Sequence, residues 1–102
     1  MTFKPGVKLR GVRPEIVAAL AVAAPIMAPY GEFVVTSVME GKHAPTSKHY
    51  IGCAFDVRTK HLKPGEAEEV AADLRAALTD EFFVLVEPDH IHVQFGKKGE
   101  VL

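Results

Sequence analysis

Residues 82–95 read FFVLVEPDHIHVQF. Two short runs rich in β-branched and aromatic residues, Phe82–Val86 and about Ile91–Phe95, flank Pro88 and Asp89 and predict two strands joined by a turn. Working back along the chain, Lys63-Pro64-Gly65 is a break, and a helix is expected after it. Glu66, Glu68 and Glu69 crowd its first turn, where acids complement the helix dipole, and Ala67, Val70, Ala71, Leu74 and Leu78 make one apolar stripe. Cys53–Thr59 predicts a further strand with Cys53, Phe55 and Val57 on one face and Ala54 and Asp56 on the other. Gly41–Tyr50 (GKHAPTSKHY) is polar and turn-rich and reads as a loop, and Phe33–Met39 before it reads as a strand. Pro14-Glu15 opens a helix over about 14–27, with Ile16, Val17, Leu20 and Ala24 at helical spacing and Pro29 and Gly31 ending it. The sum is an α+β domain: a small antiparallel sheet flanked by two main helices.

Composition narrows the function. The chain has 102 residues, which fits a single domain over 1–102 with one core. At 48% hydrophobic and a net charge of -1 it is no disordered chain, and the near-neutral balance of 12 Lys+Arg against 13 Asp+Glu argues against nucleic acid as partner. One cysteine excludes an internal disulfide framework and a Cys-rich structural zinc site, and the absence of tryptophan argues against an aromatic stacking platform. Lys4, Lys8, Arg10 and Arg13 before the apolar run Ile16–Ala28 mimic a secretory signal. Pro14, Glu15 and Pro25 fall where such a signal should be uninterrupted, so a structural helix is expected there. The run is also shorter than the roughly 20 apolar residues of a membrane span, and no stable membrane insertion is expected.

The histidines and acids are grouped. His43, His49 and Asp56 occupy one stretch, and Glu87, Asp89, His90 and His92 another. His90 and His92 are two apart, so an extended chain projects both to one face. Two imidazoles and a carboxylate make a three-ligand set suited to zinc, with a fourth position open to water, the arrangement of a catalytic site. A nearby carboxylate can take that water's proton and pass it to a leaving amine, and Asp89 and Glu87 are the candidates. Cys53 reads as a small buried hydrophobe, and His61, beside Lys60 on a turn, as solvent-exposed.

Ser47-Lys48-His49-Tyr50-Ile51-Gly52-Cys53-Ala54-Phe55-Asp56 matches the pattern S-x-H-x-x-G-x-A-x-D at each position, and Asp89-His90-Ile91-His92 supplies an acid three residues before a histidine and an H-x-H pair. In this the chain resembles the zinc D-Ala-D-Ala carboxypeptidase and phage L-alanyl-D-glutamate endolysin superfamily, which shares its fold with hedgehog domains. The motifs and their flanking strands span about 43–95. The resemblance implies a hedgehog/DD-peptidase-like fold, with Zn2+ held by His49, Asp56 and His92 and Asp89 as general base. Gly52 would permit a tight backbone approach. Ser47 would brace the metal loop or touch substrate. His43, six residues before His49, could stabilise an oxyanion, or be a solvated loop histidine. His90 would sit beside the metal. Glu87 could replace Asp89 as base, although the spacing to His92 favours Asp89. Tyr50 would stack on substrate or pack beneath the loop, and Arg58 would contact substrate, pair with Asp56 or stay in solvent.

The chain departs from the dipeptidase branch in having Asp89 where many members carry Glu, and in lacking tryptophan, which favours the endopeptidase-like branch. The implied activity is that of a zinc metallopeptidase, a peptidoglycan hydrolase cutting an amide bond of the cell-wall stem peptide. The protein would be a monomer made in the cytoplasm and released to the wall, or virion-associated. The competing reading is a non-catalytic zinc-binding module or virion structural component that binds a partner or wall fragment.

Overall fold

The computed structural model describes residues 1–39 and 52–96, and the loop expected over 41–50 lies outside them. In chain order the elements are strand β1 (Thr2–Phe3), helix α1 (Pro14–Met27) with a 3-10 turn at Ala28–Tyr30, strands β2 (Val34–Ser37) and β3 (Ala54–Arg58), helix α2 (Glu66–Leu78), and strands β4 (Phe82–Val86) and β5 (His90–Phe95). The five strands form one sheet in the order β1-β2-β3-β5-β4. Every pairing is antiparallel except β1 with β2, which is parallel, so the sheet is mixed where a purely antiparallel one was expected.

Both helices begin where the local chemistry directs. Pro14 occupies the first turn of α1, where its missing N–H costs nothing, and Glu15 adds an acid to the positive end. Before α2, Gly65 adopts a φ of 87°, and the Glu66 carboxylate reaches back to accept the Lys63 backbone N–H at 2.7 Å. Helix α1 runs through Pro25, which is exposed, and ends two residues later.

The helices close over one face of the sheet. Ile16, Ala19, Leu20, Ala23 and Met27 of α1 and Val70, Ala71, Leu74 and Leu78 of α2 join Val35, Phe55, Val57, Val84, Ile91 and Val93 of the strands in a single core. On β3 the alternation is as expected, with Phe55 and Val57 in the core and Ala54, Asp56 and Arg58 turned to the opposite face. Cys53 is buried. On the edge strand β4, the Arg75 guanidinium of α2 donates to the Val84 carbonyl at 2.9 Å, occupying an acceptor that the sheet leaves unpaired.

The chain entering β3 is anchored to the N-terminal segment. Arg13 N–H donates to the Gly52 carbonyl at 2.9 Å. Gly52 has a φ of 74°, and a Cβ there would collide with the Gly11 carbonyl oxygen and lie 3.0 Å from Val12 Cα. This position tolerates only glycine, for both reasons.

Candidate metal centre

The register of the two central strands assembles the site. Asp56 on β3 lies directly opposite His92 on β5, and Arg58 opposite His90. The face turned away from the helices therefore carries Asp56, His90, His92 and Gln94 as neighbours, with Leu85 and Phe83 of β4 beside His92 and Gln94. Asp56 and Gln94 are buried, at 8% and 7% exposed.

Hydrogen bonding fixes how His92 is presented. Gln94 Nε2 donates to the Gly96 carbonyl at 3.1 Å, which leaves its Oε1 to accept from His92 Nε2 at 2.8 Å. The neutral ring then carries its proton on Nε2, and Nδ1 turns a lone pair toward Asp56 Oδ1, 3.1 Å away. Two acceptors face each other at this distance when a proton or a cation stands between them. Burial opposes charging the ring and is the largest influence on it. The hydrogen bonds to Asp56 and Gln94 and the charges of Asp56 and Glu87 outweigh it, so the His92 pKa is raised above its ordinary value.

A second link extends from Asp56. His90 Nε2 stands 3.8 Å from Asp56 Oδ2, and His90 Nδ1 lies 2.6 Å from Asp89 Oδ1. The Asp89 carboxylate sits in the β4–β5 turn, 87% exposed, and reaches the site only through His90. By accepting from Nδ1–H it leaves His90 Nε2 as the bare nitrogen facing Asp56. Glu87 donates its backbone N–H to the His90 carbonyl at 2.8 Å. Arg58 is half-buried, and no ion pair joins it to Asp56, so one of its expected alternatives is set aside. His43, Ser47, His49 and Tyr50 lie outside the described residues.

The donors fit a zinc ion in their chemistry and spacing. Two ligand atoms of a tetrahedral zinc site stand roughly 3.3 Å apart. The separation of 3.1 Å between Asp56 and His92 needs little adjustment. A ligating histidine whose other nitrogen is tied to a polar partner is the usual arrangement around bound metal. Among the described residues no group of three His, Cys, Asp or Glu side chains forms a metal cage, and the third ligand expected from the sequence is His49.

Gln94 is a member of this cluster that residue type alone does not single out. It continues the alternation of His90 and His92 on the same face, and that polar stripe in an otherwise apolar strand was the available signal. His61 is corrected: it is only 17% exposed, and its Nδ1 lies 3.4 Å from Glu32 Oε1, because the turn after β3 folds against the start of β2. No helix among the described residues is long and apolar enough to cross a membrane. No protein-family model, curated protein or solved structure matches the chain.

Proposed function

We propose that the chain is a zinc-dependent peptidase acting on an amide bond of peptidoglycan stem peptides. The observation that carries this reading is the Gln94–His92–Asp56 arrangement, in which an imidazole lone pair and a carboxylate are aimed at one point beside a chain that bears the S-x-H-x-x-G-x-A-x-D motif. Zinc, when bound by His49, Asp56 and His92, would supply Lewis acidity toward the scissile carbonyl and lower the pKa of a bound water to about 7.

The protein's own groups do the rest. Gln94 holds His92 by Nε2 and so turns Nδ1 toward Asp56, and burial of Asp56 keeps its carboxylate away from competing water. Asp89 holds His90 by Nδ1, leaving Nε2 to accept a proton from the attacking water and return it to the leaving amine. The proton shuttle first assigned to Asp89 thus runs through His90 in this reading. Glu87 contributes negative charge at the edge of the site.

The test is zinc content of the purified wild type and of His49→Ala, with purified peptidoglycan as substrate. About one zinc per chain, lost in the variant together with the release of free amines from the wall, supports the hydrolase. Asp89→Asn should keep its zinc and lose turnover. One zinc with no released amines moves the reading to a non-catalytic binding module or virion component, and no zinc at all overturns it.

A further inference from the structure

The N-terminal segment of this chain is uniformly basic. Residues 1–14 carry Lys4, Lys8, Arg10 and Arg13 and no acid. All four cations are exposed. Their segment forms one rim of the molecule: Thr2 and Lys4 donate backbone N–H groups to Phe33 and Val35, Lys8 accepts from Met39, and Arg13 donates to Gly52. It therefore follows the free side of β2 along its whole length before turning into α1. Of the exposed acids among the described residues, Glu68, Glu69, Asp73, Asp80 and Glu81 lie on α2 and the turn before β4, the strand at the opposite edge of the sheet, Asp89 lies in the β4–β5 turn, and Glu32 alone stands near the rim, just before β2.

The basic rim is also apolar. The exposed large hydrophobic residues among those described are Met1, Leu9 and Val17, at 61%, 41% and 55% exposure, and all fall within this segment and the first turns of α1. Helix α1 continues the same character, since no charged residue occurs between Glu15 and Glu32 and Val17, Ala18, Ala21 and Pro25 are exposed. Arg13 Nε lies 3.6 Å from Glu15 Oε1, at the point where the rim turns into α1.

From this we infer that the β1 rim and the outer face of α1 form a docking surface for an anionic lipid bilayer. Cations near a negatively charged membrane surface are each drawn to it, and apolar side chains among them enter the headgroup boundary. A soluble polyanion would account for the cations and leave the exposed Leu9, Val17 and uncharged helix face without a use, so the lipid is the better match. The contact is peripheral, in keeping with the absence of a spanning helix among the described residues.

Co-sedimentation of the full chain with phosphatidylglycerol vesicles and with phosphatidylcholine vesicles tests this. Binding to the anionic vesicles is expected at low salt, at least about tenfold tighter than to the neutral ones and lost at high salt. Reversing two cations (Lys4→Glu with Arg10→Glu) should weaken it more than about tenfold. Leu9→Ser with Val17→Ser should weaken it several-fold, and the unfolding midpoints of both exposed-site variants should match wild type. Equal partition to both vesicle types, salt-independent binding by the wild type, or charge-reversed protein that binds as wild type would overturn the inference. So would the serine variant binding as wild type, with soluble polyphosphate competing fully, because that outcome identifies a polyanion site.

Discussion

The separation between His92 Nδ1 and Asp56 Oδ1 is 3.1 Å, and what stands there decides how the site responds to pH. In the metal-free chain a proton on the ring is favoured there. His92 titrates above its ordinary 6.5 when folded, so the protonated ring stabilises the fold fully below that value. The stabilisation is lost as pH rises through the raised pKa. Zinc binding has the opposite sign, because metal and proton compete for Nδ1 and affinity rises as the ring deprotonates. Urea denaturation of chelator-treated protein should thus show stability falling as pH is raised above 6.5, while the zinc-loaded protein gains over the same interval. A metal-free stability that rises there would contradict the raised His92 pKa. Gln94 is the handle on the His92 tautomer. Gln94→Leu removes the acceptor for Nε2–H and should weaken zinc binding by about 10–100-fold with the fold retained, measured by competition with a chromophoric chelator. Nothing in residue type alone singles out Gln94. Its importance comes from its place on the extended strand, where its amide bridges two local partners, the Gly96 carbonyl and the His92 ring, each two residues away.

At the scale of elements, the parts that obey a period were the parts readable in the chain. Helices α1 and α2 fall at Pro14–Met27 and Glu66–Leu78, close to the expected spans, because Pro14, Gly65 and the acidic first turns act locally. Strands β3, β4 and β5 follow their β-branched runs, and their register brings the predicted Asp56 and His92 together. Strand β1 has two residues, too few for any alternation, and exists only because Val34 and Val35 offer it an edge. The same long-range character hid the partnership of His61 with Glu32. On the side of the S-x-H-x-x-G-x-A-x-D motif, the element that matters is the approach to β3. Gly52 closes on Gly11 and Val12 and takes the Arg13 N–H on its carbonyl, so the motif glycine has a structural duty distinct from the chemistry beside it. Gly52→Ala should cost about 3 kcal/mol in equilibrium denaturation, from the strained φ and the overpacked backbone together. Zinc affinity should fall with it, since the chain that enters β3 is displaced. A variant as stable as wild type would show that the N-terminal segment can yield at this contact.

For the whole molecule, the consequence lies in where the two described donors sit. Asp56 and His92 are separated by 36 residues and meet on adjacent strands near the middle of the sheet, each strand backed by the core that both helices cover. A small domain has little surplus stability, and an ion that ties its central strands from the side away from the helices acts on the folded state alone. Binding at 100 times the dissociation constant should add about 2.7 kcal/mol to the unfolding free energy, a rise of roughly 10–20 °C in Tm for a domain of this size. Scanning calorimetry with zinc added to chelator-treated protein reads this directly, and Asp56→Asn should abolish the shift because a neutral amide replaces the anionic ligand. The same measurement separates this centre from the basic rim. Charge reversal at Lys4 and Arg10 leaves the zinc-dependent shift in place, since those residues belong to the segment along the outer edge of β2 and the donors belong to β3 and β5. A zinc-induced rise that survives Asp56→Asn would mean that the ion binds elsewhere, and the peptidase reading would lose the observation on which it stands.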